Sequence, residues 1–113
     1  MKRIGTVLAV VLLLLCGLAL AAEKDPPTRS VEGVVTSVDD QPVSGAVVQL
    51  ENTKTQQIRS YITQEDGKYR FYELSTEVDY RLKAEFKGAS SATKTLSSFD
   101  SRKKSFINFK LNK

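Results

Sequence analysis

After about residue 30 the chain alternates apolar and polar positions with a period of two, and no segment keeps the period of 3.6 that a helix requires. Runs rich in β-branched and aromatic residues are broken at short intervals by Gly, Pro, Asp, Asn and Ser, the pattern of short strands joined by turns. The first predicted strand is Val31 to Val38, with Val31, Gly33 and Val35 on one face. The second sets Ala46, Val48 and Leu50 inward against Val47, Gln49 and Glu51. Ile58 to Thr63 forms the third, and the fourth turns Tyr69 and Phe71 inward with Lys68 and Arg70 outside. The clearest alternation is the fifth, where Tyr80, Leu82, Ala84 and Phe86 oppose Arg81, Lys83, Glu85 and Lys87. A weaker sixth, Ala92 to Leu96, has few large apolar residues and reads as an edge. The last strand places Ile107, Phe109 and Leu111 inward, with Phe106, Asn108 and Lys110 outward.

The breaks are informative in themselves. Asp39-Asp40-Gln41-Pro42 ends the first strand, because proline fixes φ and removes a ladder donor. Gly45 opens the way into the second strand. Glu65-Asp66-Gly67 predicts a tight hairpin between the third and fourth strands, since Asp-Gly readily takes positive φ. Asn52 to Gln56 and Ser97 to Lys103 are polar loops, the latter around Phe99. Together these elements predict an all-β, seven-stranded antiparallel β-sandwich, with no internal repeat.

The N-terminus has a different character. Met1-Lys2-Arg3 leads into the nearly unbroken apolar stretch Ile4 to Leu15 and ends in Ala19-Leu20-Ala21-Ala22, which reads as the charged region, apolar region and small-residue cleavage site of a signal peptide. A retained anchor is the competing reading, since about 20 apolar residues span a bilayer. Cys16 follows Leu13-Leu14-Leu15, without the small residue that lipid attachment wants just before the cysteine. The expected organisation is a signal peptide at 1–21, an extended linker at 22–29 marked by Asp25-Pro26-Pro27, and one domain at 30–113. Export would place the product in the periplasm or outside the cell, free of the membrane once cleaved. It would hold no disulfide, because the single cysteine lies in the leader. Of the 17 basic residues two are in the leader, leaving 15 against 13 acidic ones, a balance of about +2 that does not call for nucleic acid. The longest basic run, Arg102-Lys103-Lys104, reads as a solvated loop.

Gly33-x-Val35, Pro42-Val43-x-Gly45-Ala46-x-Val48-x-Leu50, Thr63-x-x-Asp66-Gly67-x-Tyr69-x-Phe71-x-x-Leu74 and Tyr80-x-Leu82-x-Ala84 together resemble the carboxypeptidase regulatory-like domain, over Ser30 to Leu111. The resemblance implies a transthyretin-like, Greek-key sandwich within the carbohydrate-binding-like folds. It implies no activity, because the peptidase in the family name is a companion domain. The chain departs from the family at Gln64, where an acid often follows the threonine, and at Val78, where a glycine usually precedes the tyrosine.

Candidate chemistry is sparse. The chain has no histidine and no cysteine beyond the leader, which removes the usual zinc ligands and the Ser-His-Asp and Cys-His constellations. The paired carboxylates Asp39-Asp40 and Glu65-Asp66 stand at turns, where Asp is favoured for backbone hydrogen bonding alone. A Lys-Asn isopeptide crosslink through Asn108 is not expected, since Asn108 faces out and the first strand offers Glu32 but no lysine. No catalytic residue, metal or cofactor is expected, and the protein is predicted to be a monomer. The candidate ligand-binding residues are the aromatics outside the core phase, Tyr61, Tyr72, Phe99 and Phe106, which would stack on a glycan. The alternative is an adaptor that docks an envelope protein through an edge strand or the Phe99 loop.

Overall fold

A computed structural model of the chain describes residues 27–113. The predicted signal peptide, the anchor alternative, Cys16 and most of the predicted linker lie outside the described residues. Strand β1 (Thr28–Thr36) occupies the middle of one sheet. It pairs antiparallel with β4 (Lys68–Ser75) on one side, and parallel with β8 (Lys104–Phe106) and β9 (Phe109–Lys110) on the other. In the second sheet β3 (Ile58–Ile62), β2 (Val47–Asn52), β5 (Tyr80–Phe86) and β6 (Ala89–Ser90) lie side by side, with β7 (Lys94–Leu96) also on β5. The period-two alternation turns one face of each sheet inward. Val31, Val35, Tyr69, Phe71, Leu74 and Phe109 meet Val48, Leu50, Tyr80, Leu82, Ala84 and Leu96 in one buried layer.

Four expectations are corrected. The linker was expected to run to Arg29, but Thr28 and Arg29 belong to β1, and Arg29 is buried. The sandwich is not wholly antiparallel, because β8 and β9 run parallel to β1. The last strand is two strands rather than one. Its break falls at Ile107 and Asn108, where the chain crosses Gly33. A Cβ on Gly33 would collide with the Ile107 carbonyl, so only glycine lets the two segments approach. That carbonyl accepts a 2.6 Å hydrogen bond from the Tyr69 hydroxyl, and the Asn108 side-chain oxygen accepts one from the Val34 amide at 3.0 Å. Side chains thus supply what the interrupted ladder omits.

The fourth correction concerns Glu65-Asp66-Gly67. The turn forms, with Gly67 at φ 73° and its amide donating to the Gln64 carbonyl at 2.9 Å. It does not close a hairpin: β3 pairs with β2 and β4 with β1, so the chain passes here from one sheet to the other. The earlier turn at Pro42 to Gly45 makes the same crossing between β1 and β2. Thr63 ties the two crossings together. Its buried Oγ1 donates to the Val43 carbonyl at 2.6 Å and accepts from the Ala46 amide at 2.9 Å.

Thr63→Val keeps the shape and removes both hydrogen bonds, leaving the Val43 carbonyl and the Ala46 amide without the partner each has in the fold. We expect a loss of about 2 kcal/mol in urea unfolding, with Thr63→Ser retaining most of the stability.

Candidate ligand-binding face

The outward positions of β4, β1 and β8 form a small grid fixed by strand register. Arg70 stands opposite Glu32, which in turn stands opposite Phe106. On one side of this row lie Lys68 and Val34, with Asn108 held against the Val34 amide. On the other lie Ser30 and Lys104, with Tyr72 next to Ser30 at a bulge in β4. Phe106 is 62% exposed and Tyr72 53%. A groove of 290 Å3 lies beside Phe106, lined by Glu32, Lys68, Arg70, Phe106 and Asn108 among others, and Tyr72 stands outside it, beyond Arg70, next to a second depression at Ser30 and Lys103. The bulge exists because Leu74 is three residues from Phe71 and both are buried; strict alternation would send Leu74 to solvent. An extra residue there, with Glu73 at φ 58°, restores the phase and leaves Tyr72 outside.

Arg70 is the polar centre of this face. Its Nη1 donates to the Tyr72 hydroxyl at 3.0 Å. Bonding to Tyr72 first, and to Tyr61 second, holds its guanidinium above the usual arginine range. Below the face, burial raises the pKa of Tyr69 well above the normal phenol value, assisted by the negative charge of Glu32. Tyr69 therefore remains a neutral donor to Ile107.

The sequence candidates separate into three groups. Tyr72 and Phe106 share the outer face of one sheet. Tyr61, on β3, packs edge-on against Phe71 at 6.2 Å between ring centres and covers the core, so its ring is occupied. Phe99 is 94% exposed at the tip of the loop between β7 and β8, away from the groove. The turn acids serve their turns: Asp66 accepts from the Lys68 amide at 3.0 Å, and Asp40 pairs with Lys110 at 3.1 Å. Asn108 is engaged through its Oδ1 by Val34, and the lysine that reaches it, Lys94, bonds its backbone carbonyl at 2.6 Å. Among the described residues no three His, Cys, Asp or Glu side chains come together.

Sequence reasoning missed the residue that fastens the Phe99 loop. Arg29 is 3% exposed, and its guanidinium donates to four backbone carbonyls: Ser75 at 3.1 Å, Val78 at 2.7 Å, Ser97 at 2.7 Å and Asp100 at 3.3 Å. The departure from the family at Val78 lies at one of these acceptors. The signal that could have found it is an arginine in phase with Val31, Gly33 and Val35. From outside, the loop is held by two carboxylates. Asp79 accepts from the Ser98 amide at 2.6 Å, and Asp100 takes two hydrogen bonds from the Arg102 guanidinium, the shorter 2.7 Å, and one from the Arg102 amide. The Ser98 bonds lower the pKa of Asp79, and the Arg102 side chain and amide lower that of Asp100 further.

Two facing sheets, one apolar layer and an outer face set with aromatics and cations define a β-sandwich domain with a surface groove. The chain belongs to the carboxypeptidase regulatory-like domain family, whose model matches residues 30–112. No curated protein matches it in sequence. Solved structures share the fold at low identity. Catechol 1,2-dioxygenase from Acinetobacter sp. ADP1 superposes with a TM-score of 0.57 at 13% identity, over 80% of this chain and 54% of that one. Hydroxyquinol 1,2-dioxygenase from Pseudomonas putida DLL-E4 gives 0.57 at 13%, over 80% and 58%. The dioxygenase domain of a dioxygenase and carbohydrate-binding protein fusion from Streptomyces sp. SirexAA-E gives 0.54 at 14%, over 80% and 82%. The chain thus spans little more than half the length of the first two, and the likeness is one of fold.

Arg29→Met preserves bulk and removes every donor to the four carbonyls. A loss of about 3 kcal/mol is expected in denaturant unfolding, with faster hydrogen exchange in the loop at 97–103. The lowered pKa values of Asp79 and Asp100 mean that the folded state favours their ionised forms. Their contribution is complete above the unfolded aspartate pKa of about 4 and is lost as pH falls through the folded values. Thermal midpoints measured from pH 6 downward should fall below about pH 4, and less steeply in Asp100→Asn.

Proposed function

We propose that this chain is an exported, non-catalytic accessory domain that binds a cell-envelope glycan on the outer face of β4, β1 and β8. The observation that carries the reading is the pair of exposed rings, Tyr72 and Phe106, set in adjoining rows of one sheet with Arg70 and Glu32 between them and Asn108 in the next row, against Val34. Sugar rings present apolar C–H faces and a rim of hydroxyls, so a ligand of this kind needs aromatic surface beside donors and acceptors. β-Strands hold both in fixed register, which limits the ordering cost of binding. The non-catalytic part of the reading rests on composition: the described residues contain neither histidine nor cysteine, so nucleophile and base pairs that use either residue cannot be assembled from them. Export rests on the leader pattern of residues 1–21.

A second reading, docking of an envelope protein, is favoured by a separate observation. Edge strand β3 exposes Ile58 at 57% and Ile62 at 61%, beside an open row of backbone groups. A partner strand could extend that sheet.

The two readings separate when the purified protein is presented independently with polysaccharide and protein fractions of its own envelope. Saturable polysaccharide binding, weakened at least tenfold in Tyr72→Ala or Phe106→Ala with unfolding midpoints unchanged, is the expected result. Capture of a protein that is lost in Ile58→Lys, with no polysaccharide response, would replace the glycan site by the β3 edge.

A further inference from the structure

The two sheets treat their surface charges differently. On the second sheet cations are paired within their own face, Arg81 with Glu51 at 3.4 Å and Lys83 with Glu85 at 3.1 Å. The groove there, though slightly larger at 330 Å3, is lined by these partnered groups. The face of β4, β1 and β8 carries Lys68, Arg70 and Lys104 around Glu32, which reaches Lys104 only at 3.9 Å, while a second carboxylate, Glu73 of β4, stands past Tyr72 at the bulge. Arg70 stands directly opposite Glu32 in the ladder, yet its side chain bonds Tyr72, and no ion pair joins the two. Among the described residues Arg70 and Lys68 have no ion-pair partner.

A guanidinium offers five N–H donors in a planar fork that matches a carboxylate. Arg70 donates to Tyr72 and is drawn also to Tyr61, which fixes it beside an exposed ring with donors left over. We propose that the ligand of this face is an acidic glycan of the uronic-acid class, with the sugar ring between Tyr72 and Phe106 and its carboxylate on Arg70. The inference rests on the glycan-binding reading and specifies its substrate. A uronic acid carries the anion on the pyranose ring itself, so one residue presents an apolar C–H face and a carboxylate within the reach of Tyr72 and Arg70 together. Glu32 sets the charge density. In the midst of three cations it tolerates one charge per sugar, opposes a denser polyanion, and accepts from sugar hydroxyls.

The test is calorimetric titration of the protein with an oligogalacturonate of defined length and with its fully methylated ester, which keeps the sugars and removes the charge. Each is measured at two salt concentrations. Binding of the acid at least tenfold tighter than the ester, weakened by salt, is expected. Arg70→Gln should reduce affinity for the acid about tenfold and leave the ester unchanged. Arg70→Lys should fall between, because it keeps the charge and loses the fork. Glu32→Gln should strengthen binding of the acid. Equal binding of acid and ester, with Arg70→Gln silent, overturns the acidic ligand and leaves the glycan site standing. Acid binding that is indifferent to Tyr72→Ala and Phe106→Ala overturns the site itself, and this inference with it. Matched unfolding midpoints for all variants separate these results from misfolding.

Discussion

One buried guanidinium governs the end of the sandwich where the β4–β5 turn and the β7–β8 loop meet. Turns leave backbone carbonyls without ladder partners, and buried carbonyls need donors. At this end the β4–β5 turn contributes Ser75 and Val78, the β7–β8 loop contributes Ser97 and Asp100, and Arg29 satisfies all four. A charge buried without a carboxylate would be costly alone, but four carbonyl dipoles and the Tyr80 ring, 6.0 Å from the guanidinium carbon, stand in for water. Because Arg29 sits on the central strand of its sheet, both loops are referred to the same strand that carries Ser30 and Glu32. The loop bearing Phe99 and the face bearing Tyr72 and Phe106 are therefore parts of one framework, although they do not form one site.

Much of this architecture was legible in the chain. Inward residues from Val31 to Leu111 follow the period of two, and the spacing Phe71-x-x-Leu74 already encoded the β4 bulge, since two buried residues three apart cannot share a face of a regular strand. The turns were legible as turns and not as crossings. Asp66-Gly67 specifies a local reversal whether the next strand pairs with the last or moves to the opposite sheet. The decision lies in remote contacts: the Gly67 carbonyl accepts from Val35 at 2.8 Å, and Thr63 binds the loop at Val43. Local propensity has no access to either.

Similar reasons explain the split final strand and the earlier start of the first strand. Ile107 keeps the inward phase of a continuous strand, and the interruption arises because Gly33 admits a carbonyl that Tyr69 then binds. Arg29 was read as linker because an arginine beside a polar, proline-containing stretch suggests solvent. Its phase with Val31, Gly33 and Val35 said otherwise, but its acceptors are 46 or more residues away. Long-range satisfaction of polar groups is what sequence reading sees least, and both errors are of that kind.

The candidate face was half legible for a related reason. Period two correctly put Tyr72, Phe106, Arg70 and Lys68 outside, and the structure added their adjacency, which depends on the parallel pairing of β8 with β1. Had β8 bonded β4 instead, Phe106 would have stood immediately beside Arg70. Interposing β1 places one strand, about 5 Å, on either side of Glu32 and opens a groove between Arg70 and Phe106. The same central strand therefore closes the core on its inner face and sets the width of the groove on its outer one. A substitution that shifted the register of β1 by one residue would exchange Glu32 for Val31 at the groove floor and bury a carboxylate in the apolar layer. The period-two pattern that specifies the fold thus protects the geometry of the face as well.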